Sequence, residues 1–134
     1  MHTLDQKGFS LLELLIVCCI VALLAGMAVP KVSQIMASSR SARIAADLTT
    51  LDAAIVMYQT DNGQNPEKVS DLAGYLSDAA NVKPPKGECM LRDHSVLDVK
   101  AEAYQIAAVK NGSGDATSEI RAQCEGHAAG DFSR

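Results

Sequence analysis

Hydrophobic and polar positions divide this chain into three stretches of different texture. From Leu14 to Val29 runs LLIVCCIVALLAGMAV, sixteen residues without a charge. With Phe9 to Leu12 added and Glu13 included, the stretch makes roughly 30 Å of helix at 1.5 Å per residue, the thickness of a bilayer's hydrocarbon core. Beyond Pro30 the pattern becomes one-sided. Ile44, Leu48, Leu51, Ile55 and Tyr58 recur at spacings of 4, 3, 4 and 3, a single helical stripe. Ala42, Ala45, Ala46, Ala53 and Ala54 add helix propensity, and Asp61-Asn62-Gly63 supplies a stop with a glycine for a left-handed cap. The two stretches predict one helix of about 50 residues, with a kink where Pro30 removes a backbone hydrogen bond. Globular helices average about a dozen residues, so this one needs a membrane, a coiled coil or a filament to cover its sides.

After Gly63 the periods are short. Asn65-Pro66 signals a turn, and Val69, Leu72, Ala73 and Leu76 predict a short helix through about Ser77. Pro84-Pro85-Lys86-Gly87 reads as an extended linker. Tyr104 to Lys110 and Ser118 to Cys124 alternate as strands, and Asn111 to Asp115 between them suits a hairpin turn. Glu88 to Leu91 is a third strand, and Gly126 to Arg134 a polar tail. The fold class expected is α+β: one long N-terminal helix packed on a small antiparallel sheet.

Composition narrows the function. The chain has 134 residues, a net charge of -4, no Trp and 4% aromatics, which leaves no basic surface for nucleic acid and few rings for stacking on bases or cofactors. G-x-S-x-G, Walker and H-E-x-x-H motifs are all absent from the sequence, so neither an enzyme nor a bound cofactor is expected.

The apolar stretch admits three readings: a secretory signal, an ordinary anchor, or a processed segment that stays in the membrane. A secretory signal has a basic leader and a 7–15-residue apolar region. Here the run is longer and the leader MHTLDQKG balances one Lys with one Asp, although Ala22, Ala25 and Ala28 offer small residues for cleavage. An ordinary anchor leaves Glu13 unexplained, because a carboxylate within a membrane segment costs a few kcal/mol. Lys7, six positions earlier, is the nearest cation in sequence. Glu13 is then either a solvated residue at the membrane interface or one that needs a positive charge from elsewhere.

Gly8-Phe9-Ser10-Leu11-Leu12-Glu13, placed between a short polar leader and a long apolar helix, resembles the processing site of the type IV pilin-like family, pilins and pseudopilins alike. The resemblance implies cleavage after Gly8 by a membrane prepilin peptidase and methylation of the new Phe9 amine. It also implies that Glu13 pairs with the N-terminus of a neighbouring subunit during assembly, neutralising two charges that are costly in a dry filament core. The implied partners are the chain itself and other pilins, with an assembly platform and motor ATPase acting indirectly. The implied location is the inner membrane with an extracytoplasmic head, then a filament outside the cell or in the periplasm. Lys31, Arg40 and Arg43 all precede Asp47, and the positive-inside rule by itself favours the opposite orientation. In a filament these cations have Asp47, Asp52 and Asp61 of neighbours as potential partners.

The domain plan is a leader at 1–8, a membrane and filament-core helix at 9–30, an amphipathic helix at 31–62 and a head at 63–134. Cys18 and Cys19 are small apolar members of the membrane run. Cys89 and Cys124 lie in the head, and in an extracytoplasmic setting a disulfide between them is the natural reading. Zinc held with His94 and His127 is the alternative. Calcium, which type II secretion major pseudopilins bind in a C-terminal loop, has only Asp115, Ser118 and Glu119 in Gly112 to Glu119, and the Trp-Gly-Asn-Pro stretch associated with those proteins is missing. Ala53 to Pro66 nevertheless resembles the end of their long helix. Pilus subunit and secretion or competence pseudopilin both stay open. Outside the family, the rival is a bitopic membrane protein with an extracytoplasmic binding domain that never assembles.

Overall fold

A computed structural model describes residues 8–78, 81–110 and 116–132. Helix α1 spans Leu11–Asn62, 52 residues with Pro30 inside it. A 3-10 helix follows at Val69–Gly74, then β1 (Gly87–Met90), β2 (Val96–Val99), β3 (Gln105–Lys110), β4 (Ala116–Gln123) and the short α2 (Ala129–Phe132). The chain forms two compact units, Met1–Ile35 and Met36–Arg134.

In the first unit α1 has no internal partner. Every described side chain up to Ile35 is exposed, and the helix is long and apolar enough to cross a membrane. Leu14 N–H donates to Ser10 O at 3.1 Å, closing the first turn.

In the second unit the stripe seen in the sequence becomes a core. Ala37, Ser41, Ile44, Leu48, Leu51, Ala54 and Ile55 are the buried residues of α1. They meet Leu72, Cys89, Val99, Tyr104, Ala122, Cys124 and Phe132. Burying a side chain the size of Leu or Ile gains about 1.5–3 kcal/mol, so this stripe is the main cohesive surface of the head. The helix ends where expected, with Gly63 at φ +66° donating its N–H to Gln59 O.

The strands form two separate antiparallel pairs, β1–β2 and β3–β4, where the sequence suggests one sheet. In the first, Cys89 faces Leu97; in the second, Ile106 faces Ala122, with a register shift between Ala108 and Lys110. Each pair is fastened to α1 by polar side chains. Ser41 Oγ accepts from Met90 N at 2.7 Å, and its single proton has Met90 O at 2.6 Å and Ala37 O at 2.9 Å as acceptors. Arg40 donates to Glu88 O at 3.0 Å. Asp52 accepts from Ala122 N on β4 at 2.8 Å, and Tyr104 donates its hydroxyl to Asp47 at 2.8 Å. The far end of β2 is closed by Glu125, which accepts from Lys100 N and Ala101 N at 3.0 and 2.7 Å while its own backbone sits at φ +51°.

Four expectations change. β2 is not among the strands the sequence predicts. It has four residues, one of them charged, and it forms because β1 supplies its ladder. The expected helix through Ser77 is a 3-10 turn that stops at Gly74. Gly126 to Phe132 is not a polar tail: Cys124 and His127 bridge, α2 follows, and Phe132 is 3% exposed. Its ring, 6.1 Å from that of His127 edge-on, closes one end of the core. The linker at Pro84 is likewise packed, since Pro84 is buried. The hairpin turn at 111–115 and the leader up to residue 7 lie outside the described residues.

Leu48→Ala, which opens a cavity in the stripe, is expected to cost 2–5 kcal/mol, measured by chemical denaturation of the full chain in detergent. Tyr104→Phe removes one hydrogen bond and leaves Asp47 with Arg43, so about 1 kcal/mol is expected. A Leu48→Ala loss no larger than that of Tyr104→Phe would contradict the assigned core.

Candidate processing and assembly site

The residues singled out in the sequence fall into two separate places. Gly8, Phe9 and Glu13 stand at the start of α1. Gly8 precedes the helix, is exposed, and has no atom within 4 Å of where a Cβ would stand. Phe9 is 82% exposed. Nothing therefore shields the Gly8–Phe9 peptide bond among the described residues. Glu13 occupies the first turn of α1, where the unpaired N–H groups of the helix favour a negative charge. Cleavage after Gly8, which the resemblance implies, would leave an α-amino cation one helical turn from this carboxylate. Apolar side chains surround the pair: Leu11 and Leu12 are 81% and 65% exposed, and Leu14 and Leu15 are 59% and 54%. Such a surface, once covered, excludes water from any ion pair formed across it.

Cys89 and Cys124 stand in the second place, the core of the head. Both are fully buried, their thiols are free, and Cys89 donates to Leu97 O at 3.4 Å. Burial pushes both thiols up, Cys124 from 9.0 to about 11, with the charge of Cys89 contributing to the rise at Cys124. Both residues belong to the same buried hydrophobic cluster. Among the described residues no three His, Cys, Asp or Glu side chains gather as a metal site, so His94, His127 and the two cysteines do not form one ligand set, although the backbones of Cys124 and His127 bridge. His127 instead lies 3.4 Å from Asp131. Of the calcium candidates, Asp115 lies outside the described residues.

The charges expected to reach neighbours are mostly committed within the chain. Arg43 is 3.9 Å from Asp47, Arg121 is 3.9 Å from Asp52 and 2.6 Å from Glu119, and Arg40 holds β1. Desolvation raises the carboxyl of Asp52 above its ordinary range, opposed by the N–H of Ala122 and by Arg121. The clue to these fastenings was available at Ser41, which falls three residues before Ile44, on the apolar stripe itself. A polar residue at a core position has to find a buried hydrogen-bond partner.

Comparison with known proteins bears on the same two regions. The model of the prokaryotic N-terminal methylation motif matches residues 4–29. The type II secretion system core protein G of Klebsiella pneumoniae is 32% identical over 72 residues, 54% of this chain and 51% of that protein. The type IV major pilin protein PilE1 of Neisseria gonorrhoeae is 32% identical over 114 residues, 85% of this chain and 57% of that protein. The core protein G of Escherichia coli is 33% identical over 61 residues, 46% of this chain and 42% of that protein. The chain spans about half the length of the curated relatives it matches. No solved structure matches it.

The reduced head is expected to lose stability as pH rises. A thiol whose folded pKa is raised keeps its proton after the unfolded thiol has released its own. Its contribution is therefore complete below pH 9.0 and falls away up to about 11. Denaturation midpoints across this range, with reductant, should decline more steeply for the native chain than for Cys124→Ala; identical slopes would contradict the placement of the thiol.

Proposed function

From a chain that carries the prepilin-type methylation motif and is homologous to type IV pilins and type II secretion core protein G, we propose a structural subunit of a type IV pilus-like filament. It is made as a prepilin, cleaved after Gly8 and methylated at Phe9. It assembles through its apolar helix, with Glu13 pairing to a neighbour's N-terminus. The observation that carries this reading is the union of that motif with a helical segment that has nothing of its own to pack against. The apolar surface from Leu11 to Ile35 is exposed throughout. In the inner membrane lipid covers it; outside the membrane copies of the same helix, or the like helices of related pilins, have matching length and polarity. Pro30 kinks the helix beyond the charge-free run.

The partners in this reading are the chain itself and related pilins, the prepilin peptidase, and indirectly an assembly platform with its motor ATPase. The head lies on the extracytoplasmic side. There Cys89 and Cys124 form a disulfide, closing a loop that contributes roughly 4 kcal/mol in the chain-entropy model. The same subunit plan serves a pseudopilus of type II secretion. That reading is supported by the identity to core protein G, which extends over 81 residues in the Aeromonas hydrophila protein.

Glu13→Ala tests the assembly half of the proposal. Sheared filament should fall to a few per cent of the native amount while processing at Gly8–Phe9, followed by N-terminal mass, stays within about twofold. Losing one partner of a desolvated charge pair leaves the other uncompensated. Native filament yield from Glu13→Ala would remove this carboxylate from the mechanism.

A further inference from the structure

Two apolar features of the head remain without a role. One is a cleft of about 710 Å³ between α1 at Ser41, Ala42 and Ala45, the end of β1 at Met90, and Phe132, with Arg92 and His94 at its border. The other is a knob on α1, where Val56 and Met57 are 60% and 55% exposed. Among the described residues from position 36 onward, the other exposed large hydrophobics are Met36 and Val96. Asp61 follows Met57 by one helical turn and extends the knob with a carboxylate.

We propose that the knob of one copy occupies the cleft of the next, Val56 and Met57 entering against Ala42, Ala45 and Met90 while Asp61 meets Arg92. This deepens the filament reading and rests on it. Charge selects the occupant. Neither Arg92 nor Asp61 takes part in an ion pair among the described residues; Asp61 accepts from the hydroxyl of Tyr75, a neutral partner that leaves its charge uncompensated. The carboxylates closest to Arg92 in the fold are engaged elsewhere: Asp93 accepts from Ser95 N and Oγ, and Asp131 lies beside His127. A cation at the border of an apolar cleft thus faces a partner that must bring an apolar tip and an anion, which the knob of a second copy supplies.

The positions of the two features dictate what they build. Along α1, the cleft at Ser38–Ala45 and the knob at Val56–Met57 are separated by roughly 22 Å at 1.5 Å per residue. An antiparallel pair could exchange the two contacts reciprocally, but copies that all point the same way along a filament axis cannot. There each copy accepts from one neighbour and donates to another, a heterologous contact that runs on as an open helix where the rotation does not close into a ring.

Photo-cross-linking in assembled material tests this. Full-length chain with p-benzoylphenylalanine in place of Met57 is assembled, filaments are sheared, irradiated and digested, and cross-linked peptides are identified by mass. The expected product joins position 57 to the peptide carrying Ala42 and Ala45 or to that carrying Met90. With the probe at Ala42 the reciprocal product contains Val56 to Asp61. In parallel, Arg92→Glu and Asp61→Arg should each lower sheared filament about tenfold, and the double exchange should restore most of it, since like charges across a contact repel and a swapped pair attracts. Filaments that form but cross-link elsewhere, or a double exchange that fails to recover, overturn this contact and leave the filament reading intact. A native chain that yields no filament overturns both.

Discussion

An apolar helical segment that none of the described residues covers is the constraint from which the rest of this protein follows. In water, exposed apolar side chains are costly in proportion to their area, and a head of fewer than a hundred residues has no interior large enough to hide α1 from Leu11 to Ile35. The segment therefore has to live in lipid or against copies of itself. In the proposed filament Glu13 gives the second environment its specificity: a carboxylate is tolerable in a dry bundle only with a cation beside it, and the proposed cleavage after Gly8 would supply one as the Phe9 amine.

The head solves a different problem with the same helix. Here α1 presents one apolar stripe, and two minimal β-hairpins cover it. A two-stranded pair is marginal by itself in water, so each is held by more than its ladder. Ser41 and Arg40 bind the free edge of β1, Asp52 binds Ala122 of β4, and Asp47 takes the buried hydroxyl of Tyr104. Desolvation and Asp47 together hold the Tyr104 proton far above its ordinary range, which keeps that bond intact across physiological pH. Polar residues flanking the stripe fix the register of each hairpin on the helix. The same residues are consequently engaged within the head, whereas Asp61 and Arg92 are among the described charges that take part in no ion pair.

Periodicity over many residues was the legible part of the sequence. The stripe from Ile44 to Tyr58, the stop at Gly63 and the strands around Ala107 and Ala122 follow from repeats long enough to outweigh local exceptions. What escaped notice depends on contacts distant in sequence. β2 has only Val96 to Val99 and owes its existence to β1, across a turn whose left-handed residue is His94 (φ +68°) rather than a glycine or asparagine. Phe132, a lone aromatic in a polar setting, carries no periodic signal, yet it is buried against the core. The N-terminal methylation motif, which its family model matches at residues 4–29, is readable because it is local. The pairing of Arg43 and Arg121 with carboxylates of the same chain depended on how the hairpins dock, which short-range pattern does not encode.

The central claim is that this chain is processed and then assembled, and the N-terminus records the first of these events most directly. Intact mass of the membrane-extracted chain under non-reducing conditions, with fragmentation of its N-terminus, reads it in one step. A chain that begins at N-methylated Phe9, two hydrogens lighter than its dithiol form, is the predicted result. A chain that still begins at Met1 in a cell with active prepilin peptidase would contradict the account and leave a membrane-anchored protein that never enters a filament.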